Sequence, residues 1–589
     1  MDREVEYFST PLFRKTPFES STRKPTEGRI LSHSPECFWP LILLFVAVSQ
    51  LASGTPAIAS VENAASNIAP GLPNSSIAQG AIFVVKGYEL GPAALTIAPR
   101  AFQSTSLSNT SITVTVKGVT TQALMYYSSA SQLAALLPSN TPVGAGELTI
   151  NYNGQTSDQA PINVVPNNVG IFTIDSSGQG PGIVTYSDYS LVSAVKADGC
   201  GGPNTACGAA NPGDTLTLWA TGLGPIAGSD ATGAGLGQNM PSIPLAVFLG
   251  GVKAPVSYQG RSGCCIGEDQ IVFTVPPNAP TGCAVPLVVQ IGSVVSNSVV
   301  LPVANGSRDC TTTNPALQSA EQLALTGPPF TIGDIDLEHD IASGGYQDLG
   351  QFEFENVLSF GQPNTQPFVV SWSDAQPLGT CIAYSHLKGL ASGPFGNSVP
   401  ADAGAGFSVT GPDGSGMINA DGNSGQFTTL SPAGSFLAPG AYTVTGTGGS
   451  DIGPFQGTIT VHALPTLVSP MVSPQSPANV TRSNGMTVAW TGGDPDGAVE
   501  IEIASSPDNG STDGAMAMCT APAAAGSFTV PAYILQALPA GNFAGFRFSS
   551  PETYGPPFTA SGLGLGFVQF QDQGTGFGIL GPAGSFTLK

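Results

Sequence analysis

The chain has 589 residues, length enough for about four domains. Charged residues are only 10% against 41% hydrophobic, and glycine (75) and proline (51) are abundant, a balance that excludes a long disordered chain and disfavours a helical one. The net charge of −22 lies wholly beyond residue 59, because the first 59 residues carry balanced charge. Such a surface repels phosphate backbones and excludes nucleic acid as a partner.

In chain order, Cys37–Val48 is an uncharged apolar run of 12. That is too short to span a bilayer and right for a signal-peptide core. Ala57-Ile58-Ala59 fits a cleavage site, and Ser53 or Gly54 are the alternatives. Residues 1–59 are therefore read as a signal peptide with a long n-region, and an uncleaved anchor is the one membrane attachment considered. The expected location is secreted, cell-surface or periplasmic.

Two stretches then align at an offset of 133: Ala78–Pro92 with Asn211–Pro225. Val114-Thr-Val-Lys-Gly118 parallels Val247-Phe-Leu-Gly-Gly251. Gln132–Pro138 parallels Gln270–Pro276, and Leu148–Tyr152 parallels Leu287–Ile291. Short alternating runs separated by turn residues every ~8–12 positions predict β-sandwiches. The two copies are placed at 60–166 and 167–304. These segments, with Val61-Glu-Asn-Ala-Ala-Ser66 before them, resemble an uncharacterised Ig-like domain, related to IPT/TIG domains, of exported Solibacter-type acidobacterial proteins. The resemblance covers about 61–304. It implies an exported immunoglobulin-like module and supplies no catalytic residues. The first copy departs from it with Ala78-Gln-Gly-Ala81 in place of Pro-Gly-Asp, so no shared role for Asp214 is expected.

Residues 305–325 read as a polar linker. A third sandwich is expected over 326–463, with strands at Gln351–Val357, Phe368–Trp372, Gly406–Thr410, Ala441–Thr445 and Gly457–Val461. A fourth, fibronectin-III/Ig-like, is expected over 464–589 after a Pro-rich junction. It contains Met486–Trp490 and Val499–Ala504, and Trp372 and Trp490 are read as core residues, with a sugar-stacking platform as the alternative. The fold class is thus all-β, with about four tandem immunoglobulin-like β-sandwiches after an N-terminal signal segment.

Eight cysteines follow the signal segment: Cys200, Cys207, Cys264, Cys265, Cys283, Cys310, Cys381 and Cys519. An even number in an exported chain reads as disulfides. Proximity suggests Cys200–Cys207 and Cys265–Cys283; Cys264 could then reach Cys310, leaving Cys381 and Cys519 for each other, with zinc as the rival. Asp334, Asp336, Glu338 and Asp340 fall on one face of a strand. They are read as a solvent-facing edge, as calcium ligands, or as a glycoside-hydrolase carboxylate pair. No cofactor is expected, with calcium at these carboxylates as the alternative. Asp494-Pro-Asp496 and Asp508–Asp513 lack EF-hand spacing and read as turns. His339, His386 and His462 are the only histidines left to act as bases, and no nucleophile, phosphate-loop or dinucleotide motif accompanies them. The expected function is non-catalytic: an adhesive or structural protein whose partner is an extracellular protein or a glycan, with loop 226–242 as one contact surface. The alternative is a glycan-active enzyme or carbohydrate-binding protein with its site in the second half.

Overall fold

The computed structural model describes residues 54–589 apart from 195, 198–199, 234, 312–328, 343–344, 361–375, 386–394, 420–427, 432–435, 472–477, 509–512, 542, 573–574 and 578–585. Residues 1–53 with Cys37, the segment containing Trp372, and His386 lie outside the described residues. The protein is a tandem array of immunoglobulin-like β-sandwiches, and none of its described helices is long and apolar enough to cross a membrane.

The internal repeat is a repeat of topology. In the first sandwich one sheet runs Ala57–Asn63, Ile82–Tyr88, Gln132–Leu136, Leu124–Ser128. The second copy runs Gly170–Ile171, Thr215–Thr221, Asp269–Thr274, Val256–Arg261 in the same order. The facing sheets also correspond: Ala160–Val165, Gly144–Tyr152, Thr110–Val116, Val119–Gln122 matches Val299–Val303, Gly282–Ile291, Leu245–Leu249, Val252–Ala254. Alternation decides the inner faces. Phe83, Val85, Met125, Val114 and Ile150 fill the first core, and Leu216, Leu218, Phe273, Leu287 and Val289 fill the second.

The second half does not divide at the expected 463/464 boundary, because strands cross it in both directions. The third sandwich packs Phe395–Pro400, Gly345–Phe360, Phe330–Ala342, Leu563–Asp572 and Thr553–Tyr554 against Gly414–Asn419, Gly406–Gly411, Gly440–Gly446 and Phe455–Val461. The fourth packs Cys381–Tyr384, Ala515–Pro522, Ala498–Ser506, Phe543–Ser549 and Thr575–Phe577 against Pro465–Ser469, Met486–Gly492 and Ser527–Val530. Leu563–Asp572 thus returns to the third unit and pairs in parallel with Phe330–Ala342. Cys381–Tyr384 goes forward into the fourth. The Pro-rich junction read as a linker is itself an edge strand, Pro465–Ser469. Trp490 is buried in the fourth core and donates Nε1–H to Ala523 O at 2.7 Å.

Two pairs of sandwiches share sheets that are buried on both faces. In Ile82–Tyr88, Phe83 and Val85 point into the first core, while Ile82 and Val84 pack with Tyr126, Leu136, Phe172, Trp219 and Ile266 at the joint with the second sandwich. In Gly282–Ile291, Val285 and Leu287 serve the second core. Ala284 meets Ile382, Tyr384 and Met518, and Val288 joins the fourth core. Phe248 stacks on Tyr533 at 4.6 Å beside them. An unbroken apolar run such as Ile82-Phe-Val-Val85 is what burial of both faces demands.

The disulfides close as Cys200–Cys207, Cys264–Cys265, Cys283–Cys310 and Cys381–Cys519. The first and last match expectation; the middle pairs correct it. Cys264 and Cys265 lie in the turn leaving Val256–Arg261, in one sheet of the second sandwich. Cys283 opens a strand of the other sheet, where Gly282 pairs with Val303, and the chain beyond Val303 brings Cys310 to it.

Candidate functional site

Buried charged side chains draw attention to two places. At the first joint, Arg261 is 1% exposed and pairs with Asp269, which is fully buried. Its Nη2 also donates to Gly80 O at 2.9 Å and Gly224 O at 2.6 Å. Burial pushes the Asp269 carboxyl up, and Arg261 with the Leu223 and Gly222 amides pulls it back. Gly80 adopts φ +70, and a side chain there would collide with the Arg261 guanidinium. The departure of the first copy at Ala78–Ala81 therefore falls where the second copy grips it. Around this pair, Ile82 N donates to Thr221 Oγ1 at 2.9 Å, and Thr221 Oγ1 donates to Gly267 O at 2.6 Å. The Tyr126 hydroxyl donates to Ile266 O. Ser139 N donates to Asp230 Oδ2 at 2.7 Å. Asp230 belongs to loop 226–242, so part of the loop expected to contact a partner is used in the joint.

The second place is the acidic face of Phe330–Ala342. This strand lies between Gly345–Phe360 and Leu563–Asp572, not at an edge, which corrects the solvent-facing reading. Local alternation fixes which residues share a face but not whether their strand lies at an edge, and the neighbour that makes it internal to the sheet comes from more than 200 residues away. Ile335 and Leu337 enter the third core. On the other face, Asp336 and Glu338 are 5% and 6% exposed. Asp334 Oδ2 accepts from Gln569 Nε2 at 2.8 Å, and Asp336 Oδ2 accepts from Gln351 Nε2 at 3.5 Å. The Oδ1 atoms of both aspartates are buried with no hydrogen-bond partner among the described residues. Burial, then Asp336, Glu552 and Glu353, pushes the Asp334 carboxyl well up. Burial, with Glu552 and Glu338 behind it, pushes Asp336 to about 8. The Asp340 side chain lies outside the described residues.

Glu552 was not legible as part of this face: it arrives beside the short strand Thr553–Tyr554 and is held by the Tyr554 hydroxyl at 2.6 Å. Nearby, Arg547 donates to Glu502 at 2.6 Å and lies 3.7 Å from Glu500. Burial works against the Arg547 charge, but Glu502 and Glu500 more than offset it and raise its pKa. The alternation Val499-Glu-Ile-Glu-Ile503 was the available signal that these glutamates share a face opposite a core.

The two described histidines, His339 and His462, each pair with an aspartate. His339 Nδ1 lies 2.7 Å from Asp348, which also accepts from the Leu437 amide at 2.9 Å and so fixes a turn. His462 Nδ1 lies 2.5 Å from Asp494, in a turn where Asp494 also receives the Asp496 amide. Asp214 pairs with Arg308, whose guanidinium lies over the Tyr186 ring at 4.7 Å and pins residues 305–309 to the second sandwich. Among the described residues, the metal-ligating side chains that converge in threes within 4.8 Å are Cys264, Cys265 and Glu268. The cysteines are joined to each other, and Cys264 lies 3.1 Å from Glu268, which burial pushes up to about 7.

No protein-family description matches the chain, and no curated protein matches it. Solved structures that it resembles include domains 5–6 of the S-layer protein SbsC, at 15% identity over 43% of this chain and 100% of that one, TM-score 0.15. They also include SGBP-B from a complex xyloglucan utilization locus in Bacteroides uniformis, at 9% identity over 86% and 97%, TM-score 0.14. Immunoglobulin domains 1–4 of Sidekick-1 match at 12% identity over 88% and 97%, TM-score 0.11.

Proposed function

We propose that this chain is an exported, non-catalytic structural or adhesive protein whose sandwiches act as one stiff body at the cell surface, displaying outer loops to a glycan or protein partner. The carrying observation is the pair of sheets, Ile82–Tyr88 with its neighbours and Gly282–Ile291 with its neighbours, that are packed on both faces. Modules on flexible linkers would leave those outer faces polar. Disulfide pairing of the eight cysteines among the described residues fits an oxidising compartment. The resemblance to exported Ig-like modules points the same way. The hydrolase alternative finds no support at the acidic face, where Asp336 and Glu338 are shut from solvent. Cell fractionation with thiol alkylation tests the proposal. The expected result is protein in the envelope or medium with no free thiols, which sediments saturably with purified envelope. Cytosolic protein with alkylatable cysteines would overturn it.

A further inference from the structure

The turn between Arg261 and Asp269 holds a bond that global stability does not explain. Cys264 and Cys265 are adjacent in sequence, whereas the other disulfides close separations of 7, 27 and 138 residues. A cross-link constrains the unfolded chain by an amount that grows with the logarithm of the loop it closes. One between neighbours closes almost none, so it shapes only its own turn. Access sets it apart as well. Cys264 is exposed and Cys265 half-buried, while each of the other bonds keeps a buried cysteine: Cys207, Cys283, or both Cys381 and Cys519.

The same turn seats the second sandwich on the first. Ile266 packs with Ile82, Tyr126 and Leu136, and its carbonyl accepts the Tyr126 hydroxyl. Beside it Gly267 takes φ +72, and a side chain there would strike Leu136 and Ile82. Gly267 O accepts from Thr221 Oγ1 at 2.6 Å, and Thr221 Oγ1 accepts from Ile82 N at 2.9 Å. Within the turn, Ser262 N donates to Glu268 O at 2.9 Å, and Cys265 N donates to Ser262 Oγ at 3.2 Å. The disulfide therefore fixes the backbone one residue before the contacts of the joint begin.

We propose that Cys264–Cys265 is a thiol-exchange site: an external dithiol reduces it ahead of the other disulfides, and its opening loosens the turn that seats the second sandwich on the first. One thiolate of the dithiol attacks the sulfur of Cys264, the exposed member of the pair. The bond between the two cysteines breaks, a mixed disulfide forms, and Cys265 leaves as a thiolate. The second thiolate of the dithiol then displaces Cys264. Two electrons pass to the cysteine pair, the dithiol ends as its own disulfide, and its two protons end on Cys264 and Cys265. Both residues regain torsional freedom, and Ile266 and Gly267 lose the fixed approach on which their contacts depend. This inference rests on the reading of the sandwiches as one stiff body, and it makes the stiffness of the first joint conditional on oxidation.

The test treats the oxidised chain with limiting dithiothreitol under native conditions, followed by alkylation and peptide mapping, with amide exchange measured in parallel. Cys264 and Cys265 should be alkylated about tenfold faster than the cysteines of the other disulfides. On reduction, exchange at the Ile82 amide should rise about tenfold or more. Ser139, whose N–H bonds to Asp230 outside the turn, should keep its protection. The double variant Cys264→Ser with Cys265→Ser should show the faster Ile82 exchange without reductant. Leu218 in the second core should stay protected in it, which shows that the fold survives. Reduction of this pair no sooner than the others would overturn the inference. So would Ile82 protection that is unchanged both on reduction and in the double variant. Rapid Ile82 exchange in the untreated oxidised chain would refute the stiff-body reading and this inference with it, so the two failures are distinguishable.

Discussion

Replacing Arg261 with methionine should uncouple the first two sandwiches. The substitution removes the counter-ion of Asp269, which is fully buried, and strips donors from Gly80 O and Gly224 O. Breaking a buried pair on one side costs ~3–5 kcal/mol, and the orphaned carbonyls add to this only where water cannot reach them. The Asp269 carboxylate keeps the Leu223 amide at 2.8 Å, so the lower part of that range is expected. Urea denaturation gives the total. Amide exchange locates it: protection should fall at Ile82 and Ser139, whose N–H groups bond across the joint to Thr221 and Asp230. Arg261→Met with Asp269→Asn should recover part of the loss, since the uncompensated charge is then gone. A cost below about 1 kcal/mol, or unchanged exchange at Ile82 and Ser139, would refute the assignment of Arg261 as the centre of the joint.

Other outcomes follow from the same structure. Asp336, at about 8, and Asp334 bind their protons more tightly folded than unfolded. Their contribution to stability should therefore be full below about pH 4 and be lost as pH rises toward 8. At ~1.4 kcal/mol per pH unit the Asp336 contribution is at most on the order of 5 kcal/mol. Asp336→Asn should flatten this profile, and an unaltered profile would count against a buried charge there. Trp490→Ala should destabilise by ~3–5 kcal/mol through a core cavity, read as a lower urea midpoint. Peptide mapping of the unreduced chain should recover Cys283 joined to Cys310 and no Cys265–Cys283 species. Ala57 and Ile58 pair with Tyr88 and Gly87, so processing after Ser53 or Gly54 leaves the edge strand whole. Mass spectrometry of the mature N-terminus should find it there and not after Ala59.

The first half was legible because its information is local and doubled. The offset of 133 carries Ile82–Tyr88 onto Thr215–Thr221, and each occupies the same position in its sheet. The joint was written there too, since unbroken apolar runs such as Ile82-Phe-Val-Val85 and Leu287-Val-Val289 exceed what one core can bury. The second half resisted because its decisive pairings are distant. Asp334, Asp336 and Glu338 alternate visibly with Ile335 and Leu337, but the parallel strand Leu563–Asp572 that makes them interior is remote in sequence. Cys381 was matched to Cys519 by elimination, yet that pairing already implied that a strand of the third segment belongs to the fourth. Glu552 sits in Ser-Pro-Glu-Thr-Tyr554, a sequence with no feature that places it beside the acidic face.

Small-angle X-ray scattering of the oxidised chain tests the claim of a stiff, fused array most directly. The account predicts a profile fitted by one rigid arrangement of the four sandwiches, unchanged between low and high salt because the joints, the Arg261–Asp269 pair included, are buried. A profile that requires an ensemble of independently moving modules would contradict it.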